Sequence, residues 1–245
     1  MQKVLIFSCL AITIVSNPAY AEEDAWTGAY VGVHAGVNAA NTDFKDNWCW
    51  AACDAPTVDF NKPEIGVTIG QNALIDDNFL VGIEADFGSG GGRSITTPRT
   101  SYGAIDESFE WRSKFSWTSS LRLRAGLAEQ KTLLYVTGGF AAADASFREV
   151  SLNANTWSTH SPSYGASWNG ILTGYTYGAG VEHQFKNFSV KGEFLRSTYS
   201  KRNVCFQDND GSNAGQCWSI GTGPEAILGI SPNVTSLRIG VNYHF

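Results

Sequence analysis

Few residues of this 245-residue chain are placed for chemistry. Lys3, an apolar run over residues 4–15 and Ala19-Tyr20-Ala21 have the order of a secretory signal cut before Glu22. Residues 1–21 are therefore expected to be removed, and Cys9 with them. Four cysteines remain: Cys49, Cys53, Cys205 and Cys217. An even count in an exported chain favours disulfides. Three pairings are open. Cys49–Cys53 with Cys205–Cys217 is favoured, since each pair shares one Gly/Asn/Asp-rich segment. Zinc fits less well: Cys49 and Cys53 are closely spaced, but Cys205 and Cys217 are twelve apart. Trp48 and Trp50 flank Cys49, and Trp218 follows Cys217. These tryptophans read either as a contact patch for a receptor, glycan or ligand, or as packing against a disulfide. Residues 208–213 carry the oxygens of a calcium loop, yet the glycine offset is wrong and no bidentate Glu follows. Turn-forming residues explain the segment better. No Ser, His and acid set is arranged as nucleophile and base. The expectation is a non-enzyme with no catalytic residue, metal or cofactor.

What remains is buried-charge chemistry, and it depends on how the strands are built. From residue 29 onward the recurring period is 2, the mark of strands with two unlike faces. Val31, Val33, Ala35 and Val37 alternate with Gly32, His34, Gly36 and Asn38. The same holds for 63–72, 79–88, 115–127, 132–143, 170–184, 188–199 and 233–245, which gives eight runs. One face of these runs is apolar. The other carries Glu84, Asp86, Arg122, Arg124, Glu182, Lys191, Glu193 and Arg238, four acids and four bases.

The connections alternate short and long. Residues 73–78, 128–131 and 185–187 are tight links; 41–62, 89–114, 144–169 and 200–232 are long and rich in Gly, Ser, Asn and Asp. A soluble domain rarely carries four such loops. A transmembrane barrel has short turns at one end, long loops at the other and an even strand number. Each run is at least about 10 residues, enough to cross a bilayer at a tilt. In hydrocarbon no ladder edge can stay open, so the sheet must close. The expected fold is all-β: an eight-stranded antiparallel up-and-down transmembrane β-barrel with long extracellular loops, in a single domain over 22–245. Eight strands enclose only enough space for side chains. The charges inside must then be paired, and their equal count sums to zero. Trp26, Trp111, Trp117 and Trp168 lie near run ends and suit an interfacial aromatic girdle.

Composition agrees. Charged residues are 16%, below the roughly 25% of soluble proteins, because half of each strand can carry none. Glycine, at 26 residues, exceeds the usual share of about 7% and falls largely on the charged face. The net charge is −6, and loss of residues 1–21 removes one lysine and no acid, giving −7. That balance excludes a nucleic-acid partner.

Several segments point to a family: 26–32 (WTGAYVG), 82–87 (GIEADF), 121–126 (LRLRAG), 134–139 (LYVTGG), 178–183 (GAGVEH) and the end LRIGVNYHF. Together they resemble the small Gram-negative outer-membrane surface antigens, the opacity-protein-like family with its porin-like alphaproteobacterial branch. The resemblance covers most runs but not the long loops. It implies residence in the outer membrane, with lipid and lipopolysaccharide as surroundings. It also implies insertion by the barrel-assembly machinery, which reads a terminal aromatic; Tyr243 and Phe245 match that signal. The role it implies is envelope structure and surface exposure through loops. Alternatives are a small porin, or a loop-mediated adhesin or haem-binding protein. For haem, only His160 lies in a loop; His34 and His244 are expected in the lumen, and His183 at the lipid or turn rim. The loop cysteines depart from the family core, so a family ligand is not carried over.

Overall fold

A computed structural model describes residues 26–46, 57–96, 109–151, 164–205, 207–208, 217 and 227–245. Eight long strands form the barrel: β1 Gly28–Asp46, β2 Thr57–Leu74, β3 Phe79–Thr96, β4 Phe109–Glu129, β5 Thr132–Ser151, β6 Ser167–Phe185, β7 Phe188–Tyr199 and β8 Ile227–His244. Each pairs antiparallel with its chain neighbour. β1 and β8 close the ring from Tyr30↔His244 to Asp46↔Leu228.

The alternation sorts as expected. Val33, Ile65, Leu123, Phe140 and Ile239 on the outer face are each more than 60% exposed. His34, Thr68, Glu84, Arg122, Glu182 and Arg238 on the inner face are buried. No helix among the described residues is long and apolar enough to cross a membrane; here strands cross.

The tight links are as short as predicted. Residues 130–131 and 186–187 each turn the chain in two residues, with positive φ at Gln130 (51°) and Lys186 (57°). The long connections need correction. Seven strands run 18–21 residues, well into the predicted loops 41–62, 89–114, 144–169 and 200–232. A crossing needs only about 9–11 residues. The ladder thus continues past the apolar band at the loop end. β7 is shorter, 12 residues, but Arg202–Cys205 resumes beside β8 over Ile227–Ile230.

A bulge hides part of this from the sequence. Phe115 opposes Ala145 and Trp117 opposes Asp144, leaving Ser116 extra on β4. Strict alternation would set Phe115 on the outer face with Trp117. The bulge turns it inward, where it is 2% exposed.

Candidate functional site

The lumen is filled in three tiers. At the turn end, Trp26, Leu80, Ala128, Leu133 and Tyr135 form an apolar plug. At the loop end, Phe115, Phe147, Leu172, Tyr199, Leu228, Ile230 and Val234 pack with four buried alanines of β5 and its following link. Phe115 meets Phe147 edge-on at 6.0 Å, and Phe147 stacks on Trp168 at 5.9 Å. The alternation predicts a polar, charge-balanced inner face; its upper part is apolar because the strands run on above the charged level.

The charged tier lies between. All eight sequence-selected lumen charges are buried there. Glu84 is the hub. It accepts from Arg122, from Lys191 Nζ at 2.8 Å, from the Tyr30 hydroxyl at 2.7 Å and from Arg124 at 3.5 Å. Arg122 also meets Glu193 at 3.0 Å and Asp86 at 3.2 Å. Arg124 donates to Glu182 at 2.6 Å and to the Tyr30 hydroxyl at 2.9 Å, and its guanidinium lies 4.1 Å from the Tyr135 ring centre. Arg238 bridges Glu64 at 2.7 Å and Asp86 at 3.0 Å. Ser189 and Asn242 donate further to Glu182, Ser120 to Asp86, and Tyr135 to Glu193.

Strand register names some of these partners, Arg122 opposite Glu84 and Ser120 opposite Asp86, but not others. Lys191 stands opposite Glu182, and Arg238 opposite Glu193. Their long side chains instead reach across the lumen, Lys191 to Glu84 and Arg238 to Glu64 and Asp86. Glycines make the approach possible. Gly139 stands opposite Arg122, and a Cβ there would lie 2.0 Å from the Leu121 carbonyl oxygen and 2.7 Å from Arg122 Cα. Gly139→Ala should therefore displace Arg122 and cost about 1–3 kcal/mol, seen as a lower thermal midpoint of the detergent-folded barrel. An unchanged midpoint would show that the backbone yields freely.

Sequence reasoning missed Glu64, 1% exposed, which accepts from Arg238 and lies 3.3 Å from His34 Nε2. The zero sum is thus corrected: five carboxylates face three arginines and one lysine. The two imidazoles of the tier lie beside acids, His34 by Glu64 and His244 by Glu182 at 3.7 Å. Extending the alternation two residues back from Gly66 reaches Glu64. Tyr30, two before Gly32, was missed for the same reason.

The tryptophan girdle also needs correction. Trp117 lies half-buried at 5.7 Å from Phe87, but Trp26 is 3% exposed. Its indole N–H donates to the Gln130 carbonyl at 3.2 Å, and it packs edge-on against His244. It precedes β1, so the chain folds it under the lumen. Trp168 is on the inner side with Phe147, under the Arg202 guanidinium at 5.5 Å. For Trp111 only the strand position is described.

The sulfurs of Cys205 and Cys217 are bonded, with Cα atoms 5.4 Å apart. Cys49, Cys53, Trp48, Trp50, Trp218, His160 and residues 209–213 lie outside the described residues. Among the described residues, no three His, Cys, Asp or Glu side chains gather as metal ligands. His183 is at the turn rim, 3.0 Å from Thr132 Oγ1. Tyr243 and Phe245 stand on the outer face, edge-on at 5.2 Å, with Phe188 against Tyr243.

The sequence matches the family described as outer membrane protein beta-barrel domain over residues 7–245. No curated protein matches it. Among solved structures, the outer membrane protease OmpT of Escherichia coli aligns at 11% identity, over 89% of this chain and 96% of that one, with TM-score 0.46. OprG of Pseudomonas aeruginosa aligns at 10% identity over 89% and 98%, with TM-score 0.45. Ail, the attachment invasion locus protein of Yersinia pestis, aligns at 10% identity over 88% and 99%, with TM-score 0.38. The family match takes in all eight strands, and the ring of strands with its apolar outer band is the form the match requires. The chain is an integral protein of the outer membrane and belongs to the outer membrane protein beta-barrel domain family.

Proposed function

We propose that the protein is a non-enzymatic, non-conducting barrel that gives the envelope structure and carries its long loops to the cell surface. The observation that carries this reading is the filled lumen. Glu84, Arg122, Arg124 and Lys191 are each no more than 2% exposed, between two apolar tiers. A cavity bounded by Asp86, Ser120, Thr176, Ser197, Ser236 and Arg238 offers about 10 Å³ to the centre of a water molecule. That is room for about one water. A hydrated ion has no route through such a packing.

Around this core, residues 1–21 serve as the export signal, cut before Glu22. Tyr243 and Phe245 serve as the signal to the barrel-assembly machinery, which the exposed pair at the end of β8 supports. Cys49 and Cys53 pair within the first loop, as Cys205 and Cys217 do in the last.

Planar-bilayer recording tests the reading. The purified barrel should insert without steady current steps. Reproducible open steps of uniform size would overturn it in favour of a porin.

A further inference from the structure

Of the neighbouring strand pairs in the ring, β1 and β8 are the one pair that no link of the chain joins. They are the two ends of the barrel and meet only through their ladder, from Tyr30↔His244 to Asp46↔Leu228. Pairing segments so far apart in sequence carries the largest loop-closure cost of any pair in the ring. The seam is therefore the place where a bond reaching beyond the adjacent strand matters most.

Among the described residues, three luminal bonds share one pattern. A donor on one strand, a glycine on the next and a carboxylate on the third lie in a single register row, and the donor meets the acid over the glycine. Tyr30, Gly70 and Glu84 form such a row on β1, β2 and β3, with the hydroxyl 2.7 Å from the carboxylate. Tyr135, Gly180 and Glu193 form another on β5, β6 and β7, at 3.1 Å. Arg238, Gly36 and Glu64 form the third on β8, β1 and β2, at 2.7 Å. A Cβ on the middle residue would obstruct each bond: it would lie 2.3 Å from the Tyr30 hydroxyl, 2.5 Å from the Tyr135 hydroxyl and 3.1 Å from Arg238 Cγ. Each bond thus ties strands two apart and straps the strand between them.

Only the third row crosses the seam. Arg238 has an acid directly opposite on its other side, Glu193 of β7. Its guanidinium turns away from that neighbour, passes over Gly36 to Glu64 and continues to Asp86 of β3 at 3.0 Å. The direction is the informative feature, because an intact buried ion pair adds little net stability but fixes which elements stay together. Two residues nearer the loop end, Ser236 and Asn38 stand opposite one another on the same seam, and the Ser236 hydroxyl donates to Asn38 at 2.5 Å.

We propose that the bond of Arg238 to Glu64 over Gly36 is the latch of the barrel. It couples closure of the β1–β8 seam to the β2–β3 wall, so that loss of the bond opens the ring first at this seam.

The test locks the seam by independent means. Val33 and Val241 stand opposite one another on the outer face of β1 and β8. The double substitution Val33→Cys, Val241→Cys, oxidised, staples these strands. Unfolding rates in urea are then followed by tryptophan fluorescence in micelles for the free and the stapled barrel, both kept oxidised. In the free barrel, Arg238→Met should unfold at least about fivefold faster, as for a buried pair broken before the transition state. In the stapled barrel that ratio should fall below about twofold, because the seam stays closed through the transition state. Tyr135→Phe removes the bond over Gly180, away from the seam, and should accelerate unfolding equally with and without the staple. Glu64→Gln should act in the same direction as Arg238→Met and serves if that variant does not fold. An equal acceleration in stapled and free barrels, or none in the free barrel, would overturn the latch. So would loss of the Tyr135→Phe effect on stapling, since the staple would then mask every luminal contact alike.

Discussion

Replacing Arg122 by Met should lower the unfolding free energy of the barrel by about 3–5 kcal/mol. Arg122 is 1% exposed and neutralises Glu84, Asp86 and Glu193 together. Glu84 retains Lys191 and Arg124, and Asp86 retains Arg238. Among the described residues, Glu193 keeps the Tyr135 hydroxyl at 3.1 Å as its hydrogen-bond partner, with Arg238 opposite it in register but bonded to Glu64 and Asp86. The cost therefore comes mainly from an uncompensated Glu193 carboxylate, since a buried ion pair adds little net stability when intact but is expensive to halve. Glu193→Gln should then restore part of the loss in the Arg122→Met background, with a coupling of about 1–3 kcal/mol. Urea unfolding in micelles, followed by tryptophan fluorescence, measures all four corners of the cycle. Additive losses, with no coupling, would show that Arg122 acts by filling space.

Much of this lumen was legible in the sequence because a strand has only two faces. Once Leu121 and Leu123 are assigned to lipid, Arg122 and Arg124 must face inward, whatever the rest of the fold. The same period separates Glu182 from Val181 and Arg238 from Leu237. Partner choice was not legible. Arg124 meets Glu182 over the intervening strand β5, 58 positions away in sequence, and only the registers of β4 and β6 on β5 set that distance. Glu64 was lost at the ragged start of its run, beside Pro63, where alternation is short and easily clipped. The upper apolar tier was lost for a different reason. Turn-forming residues in 89–114 and 144–169 looked like loops, yet the ladder extends through Thr96 and Ser151 by continuing the register already set below. Phe115 was doubly concealed, since the extra Ser116 inverts its face.

The two apolar tiers and the charged tier fill the lumen separately, and the second large effect distinguishes them. Phe115→Ala should cost about 3–5 kcal/mol, as for a buried aromatic whose site cannot collapse. Collapse is hindered here. Phe147 and Tyr199 touch Phe115 at centroid distances of 6.0 and 6.2 Å, and both belong to strands locked in their own ladders. The small alanines on β5 cannot reach into the gap. Yet the variant should stay silent in a planar bilayer, because Glu84, Arg122 and Lys191 still occupy the lumen beneath it. Stability and conductance are thereby separated: the same position moves one strongly and the other not at all. Open steps in Phe115→Ala would transfer the seal to the upper collar and leave the ion network as internal packing. Silence with a large stability loss would place the seal below the loop-end tier, in the turn-end plug and in the charged tier, where five carboxylates and four bases fill the lumen with side chains that water cannot replace one at a time.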